Sequence, residues 1–197
     1  QSGVAYFDKT ELNDFREEGD EVVLTGEREG QKVEFRAGFV VDATGPRACL
    51  FNLLGLAERE LPLMPGTCGL FAHFRKVSCW PEGEGAPYPV EDAAVHHVFD
   101  GGWVWVLKFN NGITSAGVAA TRSAADELKL SDGKAGWDRL LEKLPSLAEQ
   151  FRGAEVVGDF VYARELPFGT SDMVGNRWAL LPSAAGFVDP LLSTGVP

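Results

Sequence analysis

Ser183-Ala184-Ala185-Gly186, then Asp189-Pro190, then Ser193-Thr194-Gly195 crowd small and turn-forming residues into the closing stretch of this chain. Side chains this small let a backbone lie against a bound molecule. A Ser-Thr-Gly turn also aims N–H groups at an anion or a polarised carbonyl. The run follows Trp178-Ala-Leu-Leu181, an apolar strand. A second segment of similar character, Phe39-Val-Val-Asp42-Ala43-Thr44-Gly45-Pro46-Arg47, leaves its own apolar strand through a glycine-containing turn. That turn also reads as an ordinary strand-to-helix junction with Thr44 as the cap. A third segment, Gly102-Trp103-Val104-Trp105-Val106-Leu107, puts two indoles on one face of a strand. Such a pair can wall a pocket and keep water from a reactive species, or pack a core beneath a helix.

The remaining reactive side chains are less organised. His96 and His97 are neighbours on a strand and face opposite ways, so the pair makes no metal site by itself, and His73 lies on another strand. The three cysteines, Cys49, Cys68 and Cys79, lack Cys-x-x-Cys spacing, so they read as buried small residues with neither zinc nor a disulfide framework. A reducing cytoplasm follows from that usage. The net charge of −11 argues against nucleic acid as a partner. The acidic run from Glu11 to Glu34 reads as the solvated surface of a hairpin. No apolar run is long enough for a membrane span. Asp172 and Arg177 read as a turn charge pair.

The elements that must position these segments alternate between two characters. Residues 4–42 read as β structure, with Val4-Ala-Tyr-Phe7 as an opening strand and Val22–Thr25 and Val33–Phe35 as an antiparallel hairpin around Gly30. Phe39-Val40-Val41 is apolar on both faces, as in a covered sheet, and a short helix through Leu50 closes at Gly55. Cys68–Val77 alternates as a strand. Residues 80–90 form a Pro- and Gly-rich loop, and 95–121 form a meander with turns at Asp100-Gly-Gly and Asn110-Asn-Gly. Residues 124–151 are helical and split at Pro145, with Trp137, Leu140, Leu141 and Leu144 on the apolar face. Glu155–Arg164 returns as a strand.

The closing run resembles the second flavin-contacting motif of FAD-dependent monooxygenases and halogenases, Gly-Asp-Ala-Ala-Gly-Phe-x-Asp-Pro-Leu-x-Ser-x-Gly. The Asp42–Arg47 segment resembles the same superfamily's Asp-Ala-Thr/Ser-Gly-Arg turn. Gly102-Trp-Val-Trp-Val-Leu107 resembles the Trp-x-Trp-x-Ile-Pro signature of flavin-dependent halogenases. This resemblance implies an α+β chain, a fragment of an α/β flavoprotein of the p-hydroxybenzoate-hydroxylase-like type. An antiparallel-sheet substrate domain with helices (61–175) would be inserted in part of an FAD-binding domain (1–60 and 176–197). The Gly-x-Gly-x-x-Gly of such proteins does not occur between Gln1 and Pro197, so the resemblance implies that a longer parent carries it.

Carried over residue by residue, the resemblance puts Asp42, Ala43, Thr44, Gly45, Arg47, Ser183, Ala184, Ala185, Gly186, Asp189, Pro190, Ser193, Thr194 and Gly195 at FAD. Trp103, Trp105, Thr194 and Gly195 fall at the reacting centre. It implies a small apolar or aromatic substrate oxidised by reduced FAD and oxygen, with a halide and a separate flavin reductase in the halogenase case. Several positions depart from the pattern, Pro46 among them, which displaces the arginine to position 47. Pro182-Ser183 stands for Gly-Asp, Leu107 for a proline, and Leu192 for a carboxylate of tryptophan halogenases. The last two rank general oxygenation or dehydrogenation ahead of halogenation. An isoprenoid-type reductase and a flavin-free small-molecule-binding module on the same fold remain the alternatives.

Overall fold

In a computed structural model the described residues are 3–47, 49–59, 61, 66–80 and 87–191. The chain divides into two compact units, one formed by Gln1–Met64 and Pro167–Pro197 and the other by Pro65–Leu166. The first unit opens with β1 (Thr10–Glu18), β2 (Glu21–Arg28) and β3 (Gln31–Ala37), an antiparallel sheet in that order. Gly30 takes the left-handed φ of 80° that the tight β2–β3 turn requires. Val22 and Val23 of β2 are fully buried. The sequence reading differs at the start: no strand forms at Val4–Phe7. Phe7 instead rests edge-on against Phe35, 5.0 Å between centroids. The acidic run supplies the strand β1 itself, where Arg16 pairs with Asp14 at 2.8 Å and Glu18 with Arg36 of β3 at 3.3 Å. β4 (Val40–Asp42) and α1 (Cys49–Leu53) follow, and α1 ends at Gly55 with φ 62°. Phe39 and Val41 are exposed within the described chain, so only one face of β4 is covered.

The second unit contains β5 (Thr67–Arg75), β6 (Val95–Phe99), β7 (Gly102–Lys108), β8 (Thr114–Thr121), α2 (Arg122–Leu128), α3 (Lys134–Lys143), α4 (Pro145–Gln150) and β9 (Glu155–Ala163). Its five strands form one antiparallel sheet in the order β6-β7-β8-β5-β9. Period-two alternation sends Leu70, Ala72, Phe74, Val104, Val106, Ala116 and Val118 to one face, where Leu128, Trp137, Leu140, Leu147 and Phe151 cover them. The helical stretch breaks twice. Pro145 starts α4, as its ring favours a first helical position. The second break, at residues 129–133, had no proline to announce it. Lys129 turns left-handed to cap α2, and Gly136 of α3 packs so closely on the Lys129 carbonyl that a Cβ would sit 2.7 Å from it.

The chain returns to the first unit through β10 (Phe168–Gly169), β11 (Val174–Gly175), β12 (Trp178–Leu180) and β13 (Gly186–Phe187). The return comes at Pro167, earlier than the boundary after 175 drawn from sequence, because β10 pairs with β13 and β11 pairs with β12. Leu50, Trp178, Leu180, Ala184 and Ala185 form this unit's buried cluster.

Candidate functional site

β4 and β12 lie side by side and parallel, with Trp178 opposite Val40 and Leu180 opposite Asp42. The Leu181 N–H continues the ladder to the Asp42 carbonyl at 2.9 Å. Two small-residue turns therefore leave the carboxyl ends of adjacent parallel strands, the edge at which open α/β sheets bind ligands.

In the first turn the Asp42 carboxylate is buried and points inward. Oδ1 accepts from the Thr44 N–H (2.7 Å) and hydroxyl (2.6 Å), and Oδ2 accepts from the Leu50 N–H at 2.7 Å. Thr44 Oγ1 in turn accepts the Cys49 N–H at 2.9 Å. Both side chains thus cap α1 and hold the turn in shape. The outer surface is left to Ala43 and to Gly45, whose φ is 87° and which has open space where a Cβ would project. Arg47 also takes a left-handed φ, 53°. Its guanidinium pairs through two nitrogens with Glu58 and lies 4.6 Å over the ring of Phe168.

Arg47 holds the Glu58 carboxyl below the usual carboxylate range. Stability from a lowered carboxylate is present above its unfolded pKa, about 4.3, and is lost as pH falls through the folded value. Glu58→Gln is therefore expected to unfold at a lower temperature than wild type near pH 7. The gap, worth at most about 1 kcal/mol for so exposed a pair, should narrow as pH falls below about 4 and vanish below the lowered folded value. Melting both proteins from about pH 7 into acid checks it, and a gap that does not shrink on acidification refutes it.

The second turn spends its amides internally. The Ser183 N–H bonds to the Gly186 carbonyl at 3.1 Å, and those of Ala184 and Ala185 bond to the Leu181 carbonyl at 3.0 and 2.8 Å. These N–H groups are accordingly engaged inside the turn, and what the segment offers a ligand is close, side-chain-poor backbone. Ser183 is at φ 72°, while the methyls of Ala184 and Ala185 are buried beside Leu50 and Trp178. A Cβ on Gly186 would come within 3.1 Å of the Phe168 carbonyl. Thr170, which the sequence reading did not single out, is buried and fixes the turn: its N–H and its hydroxyl both reach the Ala185 carbonyl at 3.0 Å. Asp189 Oδ1 accepts the Leu191 N–H at 2.9 Å, a local cap ahead of which Pro190 sits. Leu192, Ser193, Thr194 and Gly195 lie outside the described residues. Arg177 bonds to Asp20 at 2.6 Å and to the Gly38 carbonyl, so the expected Asp172–Arg177 pair does not form.

In the second unit, alternation on β7 sends Val104 and Val106 toward the helices and Trp103 and Trp105 to the opposite face. The indoles are 5.7 Å apart, and among the described residues neither belongs to the cluster that the helices cover. His96 stands 5.0 Å from Trp103 and Phe71 6.3 Å from Trp105. Gly117, opposite Trp105 on β8, makes room for the ring: a Cβ there would come within 2.3 Å of the indole and 2.5 Å of Phe71. Gly117→Ala is expected to destabilise the protein by about 1–3 kcal/mol through overpacking. Urea unfolding followed by tryptophan fluorescence measures this, and an unchanged midpoint would contradict the packing.

His97 faces the helices instead, within 3.0 Å of the buried Gln150 amide oxygen. Among the described residues no cluster of three His, Cys, Asp or Glu side chains could hold a metal. Also among them, no helix is long and apolar enough to cross a membrane. Cys68 is buried, and burial followed by the Asp42 charge pushes the half-buried Cys49 thiol up. Cys79 is exposed, contrary to the expectation for all three, because it lies just beyond β5 at the start of the loop.

The chain as a whole is similar to known proteins. No protein-family model matches the chain. It is 29% identical over 203 residues to monodechloroaminopyrrolnitrin halogenase PrnC of Pseudomonas fluorescens, covering 98% of this chain and 35% of that one. It is 32% identical over 175 residues to tetracycline 7-halogenase of Kitasatospora aureofaciens, covering 82% and 31%. Among solved structures it matches halogenase PltM in complex with phloroglucinol and FAD, at a TM-score of 0.78 and 27% identity over 94% of this chain and 38% of that chain. The chain fits the superfamily of FAD-dependent halogenases and p-hydroxybenzoate-hydroxylase-like monooxygenases.

FAD is the cofactor of this superfamily. The chain spans about a third of the length of the curated relatives it matches. Its α+β architecture, with an antiparallel sheet backed by helices in one unit, fits that of its structural neighbours. The described turns suit such a ligand. Gly45 leaves open space at the first, and the second carries nothing larger than a methyl between Ala184 and Gly186.

Proposed function

We propose that this chain is part of a flavin-dependent halogenase that acts on a small aromatic molecule. The observation that carries the reading is the pairing of β4 with β12, which sets the Asp42–Arg47 and Ser183–Gly186 turns on one edge. The named relatives PrnC and tetracycline 7-halogenase support halogenation over other flavin chemistry. In this reading Ala43, Gly45 and the backbone of Ala184–Gly186 lie against FAD. Asp42, Thr44 and Asp189 shape the turns; of the residues outside the described ones, Ser193 would contact FAD, and Thr194 and Gly195 would be donors at the reacting centre. Bound FAD would supply the oxidising chemistry from its reduced form and oxygen, while the protein supplies orientation and excludes water. Trp103 and Trp105, outside the cluster that the helices cover, would wall the substrate. A halide and a flavin reductase complete the set of partners, and the cytoplasm is the proposed compartment.

The test uses the full-length protein, mixed with FAD, a flavin reductase, chloride or bromide and a phenolic substrate. Bound flavin absorption and a product heavier by one halogen are expected. Flavin binding with hydroxylation and no halide requirement would turn the reading to a monooxygenase, the outcome that Leu107 and Leu192 favour. Reduction of an isoprenoid double bond would indicate the reductase, and no flavin uptake would indicate the flavin-free module.

A further inference from the structure

We propose that Arg47 is a positioning residue: lodged between Glu58 and the ring of Phe168, it locks the first flavin-facing turn to the strands that hold the second. This rests on the flavin reading above. It differs from the role the resemblance alone gives Arg47, which is direct contact with the cofactor.

The argument follows the contacts outward from the guanidinium. Arg47 sits in a left-handed conformation at φ 53°, which a non-glycine residue adopts only where its surroundings hold it. The Asn52 amide donates to its carbonyl at 2.8 Å, and the guanidinium meets both Glu58 oxygens. Glu58 is paired with Thr170 in an isolated antiparallel bridge. Flanking it, the Arg59 N–H reaches the Gly169 carbonyl at 2.7 Å and the Ser171 N–H reaches the Ala57 carbonyl at 2.8 Å. Thr170 in turn holds the Ala185 carbonyl, while Phe168 and Gly169 pair with Phe187 and Gly186. An unbroken line of contacts thus runs from the Asp42–Arg47 turn to the Ala184–Gly186 turn.

The line ends on Gly186, where a Cβ would come within 3.1 Å of the Phe168 carbonyl, so little slack remains at that end. A guanidinium suits the position because it can present two nitrogens to a carboxylate while its flat face lies on an aromatic ring. An ammonium keeps the charge and loses that geometry. Removing the link would let the turns shift relative to each other, and a ligand touching both would feel the change.

The experiment compares FAD dissociation constants of the full-length protein and its variants with the melting temperatures of the flavin-free forms. Arg47→Met and Glu58→Gln are each expected to weaken FAD roughly five- to tenfold. The double variant should be no weaker than the worse single one, since both changes break one link. Arg47→Lys should not restore wild-type affinity. If Arg47→Met does not fold, Glu58→Gln and Arg47→Lys carry the comparison.

Loss confined to the Arg47 variants, with Glu58→Gln binding FAD like wild type, would mean that Arg47 touches the ligand itself and would overturn the inference. So would lowered melting temperatures with unchanged FAD affinity, the mark of a purely structural ion pair. Wild-type protein that takes up no FAD would defeat the flavin reading itself and this inference with it. That result is distinct from a wild type and variants that bind FAD equally well, which would overturn the inference alone.

Discussion

Asp42→Ala is expected to destabilise the protein by about 2–4 kcal/mol, because hydrogen bonds to a buried charge are strong and a buried donor left without a partner is costly. The carboxylate is 4% exposed and takes the Thr44 N–H and hydroxyl on one oxygen and the Leu50 N–H on the other. Alanine leaves the Leu50 N–H facing an apolar pocket, since Leu50 is itself only 1% exposed. Thr44, at the surface, can recover its bonds from water, so the largest part of the loss belongs to the start of α1. Asp42→Asn keeps one acceptor oxygen and should lose less. Urea denaturation gives the cost. In the full-length protein, FAD uptake should fall together with stability, because the first turn loses the bonds that shape it. A variant within about 0.5 kcal/mol of wild type, the range of ordinary surface changes, would show that the carboxylate does not hold the turn.

Trp137→Ala is expected to cost about 3–5 kcal/mol, the usual range for emptying a large aromatic from a core. The indole is 2% exposed and lies among three phenylalanine rings, with centroids 5.3 Å from Phe74, 5.3 Å from Phe151 and 6.1 Å from Phe160. It joins α3 to β5 and β9, so its removal opens a void between the helices and the sheet. Trp137→Phe should recover much of the loss by keeping an aromatic face. Denaturant midpoints of the two variants test the ordering. Equal midpoints for wild type and Trp137→Ala would place this ring outside the core. Trp103→Ala makes an instructive contrast. It lies on the other side of the same sheet, so substrate handling should respond to it in a way that Trp137 variants of equal stability do not reproduce.

Much of this architecture is local and therefore legible in the chain. The β2–β3 hairpin follows from apolar runs on either side of Gly30, and the β6–β8 meander from Asp100-Gly-Gly and Asn110-Asn-Gly. Pro145 announces a helix start, and the period of a strand alone places Trp103 and Trp105 on one face. The small-residue turns were visible as composition, because close backbone approach demands Gly and Ala wherever it occurs. The strand at Thr10–Glu18 is hidden in an acidic run that reads as hairpin surface, and its partners, such as Arg36 for Glu18, come from another strand.

Tertiary structure alone decided the rest, since the deciding contacts join segments far apart in sequence. Only the parallel pairing of Val40–Asp42 with Trp178–Leu180 brings the two turns together. Thr170, Glu58 and Phe168 carry no local signal, as a threonine in a Gly-Thr-Ser stretch gains its role only from the distant Ala185 carbonyl. Asp42 shows the same division. Its place in the motif was readable from residue order, whereas the direction of its carboxylate, inward to Leu50, was set by how α1 packs beneath the strand. Sequence determined which backbone must stay bare, and the fold determined which side chains keep it in place, because the first is a property of single residues and the second of their partners.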